Sequence, residues 1–376
     1  VIDKLRLRCF FKTDYLDFDL TRLGVELECR IDPNGTTHSL RHPWESIPSS
    51  FSGLGFKVFF NPSNSIQPNP YIEISGSPAK LAQGHNVFGS DSLRDCSLVL
   101  AGVLFNAYPQ IADALDMGSW DVCEADITYF SRADNPMTAQ MFIRAMQSMS
   151  KGHTKSRDGY STTCYFGNKK SRYKKIKIYL KYEETLTIID DLKKKGDKLN
   201  LIPTVYQPRL LEYAKNMIRW ELTVKKAWLT KISGFKSTLL TDLVKIWDST
   251  AIWEEGMKEL LSILEGEEMH IHNDQQVLNK LRQKYATVSK SGLLSYGAAT
   301  SAYETYLAIK ERGYTQVKLL KSKATMSRHL KMLTGIGFSL GELQNIRVNN
   351  SAVVIPLKRY SVVNFQSQLP EWALTA

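Results

Sequence analysis

The chain has no apolar run close to the ~20 residues that a membrane-spanning helix needs. Its longest nearly apolar stretch is Cys96 to Phe105. That excludes an integral membrane helix. The N-terminus, VIDKLRLRCFFKTD, is too charged to hold a signal-peptide core, which argues against secretion. Cysteine is scarce: five residues (Cys9, Cys29, Cys96, Cys123, Cys164), scattered, odd in number and without a Cys-x-x-Cys pair. A disulfide scaffold and a thiolate zinc site are thereby excluded, and a reducing cytoplasm is the expected home. No Gly-Lys dipeptide occurs, so there is no Walker A loop and no NTPase by that route. Gly-x-Gly-x-x-Gly and Gly-x-Ser-x-Gly are missing too, as is any internal repeat or low-complexity tract.

What is present is ample for a folded core: 376 residues, 43% hydrophobic and 23% charged. The length suggests two or three domains. Net charge is +11 and is unevenly placed. Residues 151–181 carry ten Lys/Arg against the single acid Asp158, a local +9. Such a concentration is an electrostatic footprint for phosphates, although a solvated basic face has the same composition.

Strand patterns dominate the first third: 5–11, 23–31, 56–60 and 71–75, with turns at Asp32-Pro33-Asn34-Gly35 and Asn61-Pro62. An apolar segment from Ser90 to Met117 follows, with Ser90 or Asp91 as cap and Pro109 as breaker. A strand over 121–130 precedes a helix opened by Asn135-Pro136. Beyond about Lys231 the pattern is helix after helix. These signals predict an α+β chain, with a first domain over 1–232 and a helical region over 233–376.

Spacing assigns faces, because side chains alternate across a strand. In the strand predicted over 175–182, Ile176, Ile178, Leu180 and Tyr182 share one face, and Lys175, Lys177, Tyr179 and Lys181 share the other. A phenol in a row of lysines can reach a phosphate that the lysines hold, with its pKa lowered by them. An ordinary amphipathic strand has the same pattern. Glu73, Glu124, Asp126 and Glu221 likewise stand opposite apolar neighbours on their strands. Converging carboxylates would suit Mg²⁺ or Mn²⁺. His85, in Gly84-His85-Asn86-Val87-Phe88-Gly89, is a further candidate ligand or a plain loop histidine. His270-Ile271-His272 spells the His-hydrophobe-His strand signature of nicking enzymes, but in a helical context, where residues two apart do not face each other. A short helix over 325–333 carries Arg328, His329 and Lys331. With the turn Gly335-Ile336-Gly337 and residues 339–343 it outlines a helix-turn-helix, or equally a plain helical hairpin.

Several runs resemble the gene II replication proteins of filamentous bacteriophages (inoviruses). They are Ser77-Pro78-Ala79-Lys80, Gln83 through Gly89, His42-Pro43, the strand with Asp126, Ile178-Tyr179-Leu180-Lys181 with Glu184, Arg219 with Glu221, and Pro370-Glu371-Trp372. Tyr165 through Ser171 before Tyr179 is also similar to plasmid rolling-circle initiators of the Rep-trans type. The resemblance implies a nicking-closing enzyme on an antiparallel, palm-like nuclease sheet. Tyr179 would link to DNA, with Lys181 beside it. Glu73, Asp126 and Glu221, joined by His85, would hold Mg²⁺ or Mn²⁺. Lys169, Lys170, Arg172, Lys174, Lys175, Lys177, Arg328 and Lys331 would contact DNA. The implied partners are the double-stranded replicative form at the plus-strand origin, its single-stranded product, and a host helicase and DNA polymerase. The setting is the bacterial host cytoplasm, with no membrane, and a dimer on DNA is left open. The resemblance also implies an internal product starting at Met269 and gives no counterpart to His270 and His272.

Overall fold

The computed structural model describes residues 1–13, 28–59, 70–148, 150–151, 154–157, 162–168, 170–232, 237–264, 274–288, 292–338, 343 and 357–374. Lys169, Met269, His270, His272 and the Asn61-Pro62 turn lie outside them. Ten strands form one sheet: β1 (Ile2–Phe10), β4 (Glu45–Pro48), β5 (Gly53–Phe59), β6 (Tyr71–Gly76), β7 (Asp121–Arg132), β8 (Ser150–Lys151), β9 (Thr154–Arg157), β10 (Thr163–Phe166), β11 (Lys174–Leu180) and β12 (Met217–Lys225). Their order is β4-β5-β6-β1-β7-β12-β11-β10-β9-β8. Every neighbouring pair is antiparallel. A separate hairpin joins β2 (Glu28–Ile31) and β3 (Thr37–Arg41). Its turn is the expected one: Asp32 Oδ1 accepts from the amides of Asn34 and Thr36, and Gly35 takes φ 81°.

The alternation in the sequence is what folds the sheet. Leu5, Leu7, Phe56, Ile72, Ile74, Ala125, Ile127, Ile178, Trp220, Leu222 and Val224 fall on one face and are buried. Each large side chain so removed from water contributes about 1.5–3 kcal/mol. Helices cover this face: α2 (Leu93–Ala107), α4 (Pro136–Ser148) and α10 (Ser249–Leu264). Pro109 does interrupt the long apolar segment, opening the separate helix α3 (Pro109–Ala114), but the cap of α2 is Ser92, whose Oγ accepts from the Asp95 amide. Asn135 caps α4 as expected, accepting from the Thr138 amide at 2.9 Å. Gly256 stands mid-helix in α10 for a packing reason: a Cβ there would lie 2.2 Å from Leu222 Cδ2. Residues well beyond 233 therefore share the core of the sheet.

On the opposite, polar face, α5 (Lys181–Lys195) and α7 (Pro208–Ala214) close one end with a smaller apolar cluster around Phe88, Phe130, Ile189, Leu210 and Met217. The rest of that face carries charge. The connections hold the shorter helices α1 (Pro78–Gln83), α6 (Leu201–Thr204), α8 (Lys226–Leu229) and α9 (Leu240–Ile246). Farther along the chain, α11 (Asp274–Tyr285), α12 (Gly297–Arg312), α13 (Tyr314–Leu320) and α14 (Lys323–Gly335) build their own cores. The expected α+β class and the helical character of the C-terminal region are both observed. Among the described residues no helix is long and apolar enough to cross a membrane.

Candidate active site

Strand register assembles the site. Tyr179 on β11 stands opposite Arg219 on β12, and Lys177 stands opposite Glu221. Glu221 in turn pairs with Thr128 on β7, and Thr223 with Asp126. Directly opposed residues share a face, so these side chains all rise from the polar side. The face predicted for Tyr179 is correct; its setting is not. Tyr179 is only 2% exposed. Burial, and then the negative charge of Glu184, push its phenol well above the usual value. The expectation that neighbouring lysines would lower it fails, because desolvation of a phenolate outweighs them. Lys177 does lie over the ring, its Nζ 3.9 Å from the centroid.

Lys181 departs further from expectation. The strand stops at Leu180, and Lys181 opens α5 instead of continuing the row of lysines. Its side chain is fully buried, donating to Asn86 Oδ1 at 2.8 Å and to Glu184. Desolvation lowers its pKa to about 8. Arg219 is buried beside it, donating to the Val87 carbonyl at 2.7 Å and to Thr128 Oγ1 at 2.6 Å, with Asp3 Oδ2 3.9 Å away. Its Nε is buried without a partner in the structure. Asn86 joins the halves of this network by donating to Asp3 Oδ1 at 2.7 Å.

The 84–89 loop therefore walls in this cluster. Gly84 starts it at φ 82°, where a Cβ would also meet Val205 at 2.7 Å, so α1 must stop there. His85 is held in the wall: the Val87 amide donates to its Nδ1 at 3.3 Å, and its ring packs edge-on against Phe88. Burial, reinforced by Lys181 and Arg219, lowers its pKa to about 4, so it is neutral.

The four proposed ligands do not converge. Among the described residues no three His, Cys, Asp or Glu side chains come together as a metal-binding group. Glu73 is committed elsewhere: one oxygen accepts from Arg6 Nε at 2.8 Å and the other from Arg8 NH2 at 2.8 Å. Asp126 and Glu221 do meet, as diagonal neighbours on β7 and β12. Asp126 Oδ1 is buried without a partner, and burial together with Glu221 raises its pKa from 3.8 to about 8. Glu221 is raised too, with Lys177 Nζ 3.5 Å away as partial compensation.

This pair has a measurable signature. The fold retains a proton on Asp126 up to about pH 8 that an unfolded chain releases near 4, so stability should fall as pH rises between those values. Asp126→Asn should remove that slope and be more stable than wild type at pH 8 by on the order of 2–5 kcal/mol. Thermal melting in chelator from pH 5 to 9 checks this; identical profiles for the two proteins would show that the carboxyl is solvated.

Of the basic residues, Lys175 and Lys177 share the polar face with Tyr179, and Lys170 and Arg172 are exposed in the turn before β11. Lys174 lies on the other face, donating to the Gly256 carbonyl at 2.8 Å, so it is not beside the pocket. Arg328 and Lys331 are exposed on α14, whereas His329 is buried and bonded to Thr305 at 2.6 Å. The cap of α14 is Ser322, and α13 precedes it across a two-residue turn; residues 339–342 of the expected hairpin lie outside the described residues. Tyr173 is exposed, and Tyr182 packs into the cluster around α5 and α7. Asp3, Asn86 and Thr128 receive no role from the sequence; one polar residue in a strand or loop carries no signal until distant segments surround it.

Comparison with known proteins finds similarity along most of the chain. Residues 1–250 match the family described as the N-terminal part of a phage replication-associated protein, and residues 288–375 match the family described as the C-terminal part of the same protein. The chain is 30% identical over 370 residues to the replication-associated protein of Salmonella phage IKe, covering 94% of this chain and 86% of that protein. It is 31% identical over 363 residues to the protein of the same name from Enterobacteria phage M13, covering 92% and 87%. No solved structure matches. The chain belongs to the family of replication-associated proteins of filamentous phages, the gene II type.

Proposed function

We propose that this chain initiates rolling-circle replication of a filamentous phage by nicking the plus strand of the double-stranded replicative form at its origin and later closing the displaced circle. The antiparallel sheet serves as the palm of a nickase. The observation that carries the reading is the cluster in which Tyr179, Arg219, Lys177 and Lys181 meet beside two carboxylates.

The reaction is a transesterification. The Tyr179 oxygen forms a bond to phosphorus while the bond from phosphorus to the 3′ oxygen breaks. The products are a 5′-phosphotyrosine and a free 3′-hydroxyl. Arg219 faces Tyr179 across the strands, and its unpartnered Nε–H can donate to a phosphate oxygen or to the phenolate. Lys181 Nζ, 5.9 Å from the ring centroid and titrating near 8, takes the phenolic proton. The Lys181 ammonium so formed returns that proton, directly or through water, to the 3′ oxygen as it leaves. Because Tyr179 is buried, the 84–89 loop or the first turn of α5 must shift to admit the phosphate.

Asp126 and Glu221 fit a hard divalent ion with water in its remaining positions, because Asp126 Oδ1 is buried without a partner and Lys177 offsets only part of the cost at Glu221. Mg²⁺ or Mn²⁺ held there would polarise the scissile phosphate. Either ion should raise the melting temperature of wild type and not of Asp126→Asn. Lys170, Arg172, Lys175 and Lys177 supply phosphate contacts. Arg328 and Lys331 contribute from α14. Unwinding and synthesis are left to a host helicase and polymerase in the bacterial cytoplasm.

The burial of Tyr179 favours one rival, a metal-dependent nuclease that uses water, with Tyr179 only positional. A single experiment separates them. The protein is incubated with supercoiled origin DNA and Mg²⁺, denatured, digested, and searched for a tyrosine carrying a nucleotide. An adduct at Tyr179 supports transesterification; cleaved DNA with no adduct supports hydrolysis.

A further inference from the structure

The polar face of the sheet continues past β7 onto β1, β6 and β5, and there its character changes. Aromatic rings and cations alternate. Arg6 lies 5.3 Å from the centroid of the Trp44 ring, Arg8 4.3 Å from that of Tyr71, and Lys57 5.0 Å from that of Phe59. Phe59 and Tyr71, register partners on β5 and β6, stack at 4.7 Å with their planes 15° apart. Trp44 lies over Gly55 and is 46% exposed.

Glu73 explains how this surface keeps its shape. Its carboxylate is 3% exposed and accepts from both guanidiniums. A buried acid bridging two arginines pins each one over its ring. The acid that the sequence suggested as a metal ligand is a clamp for cations. A pinned guanidinium loses little further freedom when a ligand arrives.

We propose that this half of the sheet is a stacking platform for single-stranded DNA, separate from the Tyr179 pocket. Rings interleaved with cations on an antiparallel face suit unpaired bases, whose faces stack on aromatics while their phosphates meet Arg and Lys. A duplex offers no exposed base faces to such a surface. The position fits a strand leaving the pocket. Arg6 pairs with Glu124, which pairs with Lys225, six residues from Arg219 and one strand short of Tyr179. At about 4.8 Å per strand and 3.3 Å per residue, the two places are roughly 25 Å apart. A single strand of a few nucleotides would connect them. Its role in holding the strand beside the nick rests on the function proposed above; the binding itself does not.

The test uses the full chain in chelator, so that no cleavage occurs, with fluorescein-labelled oligothymidylate of 20 nucleotides and a 20-base-pair duplex of unrelated sequence. Trp44→Ala should bind the oligothymidylate roughly 10-fold or more weakly and the duplex within about 2-fold of wild type. Trp44→Phe keeps a ring and should retain most of the affinity. Oligothymidylate should also quench less tryptophan fluorescence in Trp44→Phe than in wild type. Melting temperatures confirm that the variants are folded. Unchanged oligothymidylate binding in both Trp44→Ala and Arg6→Ala would overturn the proposal. So would equal losses on single strand and duplex, which would mean phosphate attraction alone. Repeating the measurement with Tyr179→Phe separates the two readings. A Trp44-dependent preference that persists there upholds the platform whatever the adduct search finds, and an adduct at Tyr179 without that preference leaves the nicking function standing and removes the platform.

Discussion

Tyr179→Phe should form no covalent adduct with origin DNA. The substitution keeps the buried ring, its packing and the Lys177 contact at 3.9 Å, and removes only the oxygen that attacks. Loss of a nucleophile that acts with its neighbours typically costs 10⁴–10⁶-fold in rate, so on the order of that loss in nicking is expected here. DNA affinity should change by no more than about 0.5 kcal/mol, because no phosphate contact or charge is altered. Denaturing electrophoresis of labelled DNA reads the adduct, and a filter or anisotropy assay reads the binding. Persistence of the adduct would move the nucleophile to another tyrosine. Tyr182 and Tyr173 are the nearest tyrosines along the chain, but Tyr182 packs among the α5 and α7 side chains and Tyr173 lies at the far end of the strand, away from Arg219.

Arg219→Ala should cost about 3–5 kcal/mol of folding stability, the usual cost of removing one member of a buried ion pair. The guanidinium is 1% exposed and makes hydrogen bonds to a loop carbonyl and to a strand hydroxyl. Burial alone would raise the pKa of Asp3, but Arg219, and then Lys181, hold it below its ordinary value. Without Arg219, Asp3 keeps its desolvation and loses its main compensation. It should then gain a proton at higher pH, so the variant gains more stability than wild type between pH 7 and pH 5. Denaturant unfolding at pH 7 and pH 5 measures both effects. A loss below about 1 kcal/mol at pH 7 would mean that water reaches the pocket and screens these charges.

The sequence by itself determined the sheet and its two faces. Alternation at 71–75, 121–130 and 175–182 placed those strands within a few residues, because burying one face of a strand enforces a period of two. It also put Tyr179 on the charged side, and the Asn135-Pro136 helix start was legible because cap chemistry is local. The end of β11 was not. Lys181 follows the strand's alternation in sequence, yet the chain turns there into α5 and buries the ammonium against Asn86 and Glu184. Only tertiary structure decided the partners of the acids. Glu73 and Asp126 look alike on their strands, but β1 stands between β6 and β7 and brings Arg6 and Arg8 to Glu73, while Asp126 is left facing Glu221 and desolvation. Strand order and register are long-range choices, and a carboxylate's role as ligand, clamp or proton store depends on the charge that arrives from the neighbouring strand. For the same reason the sign of the Tyr179 shift followed from burial, which no local pattern specifies.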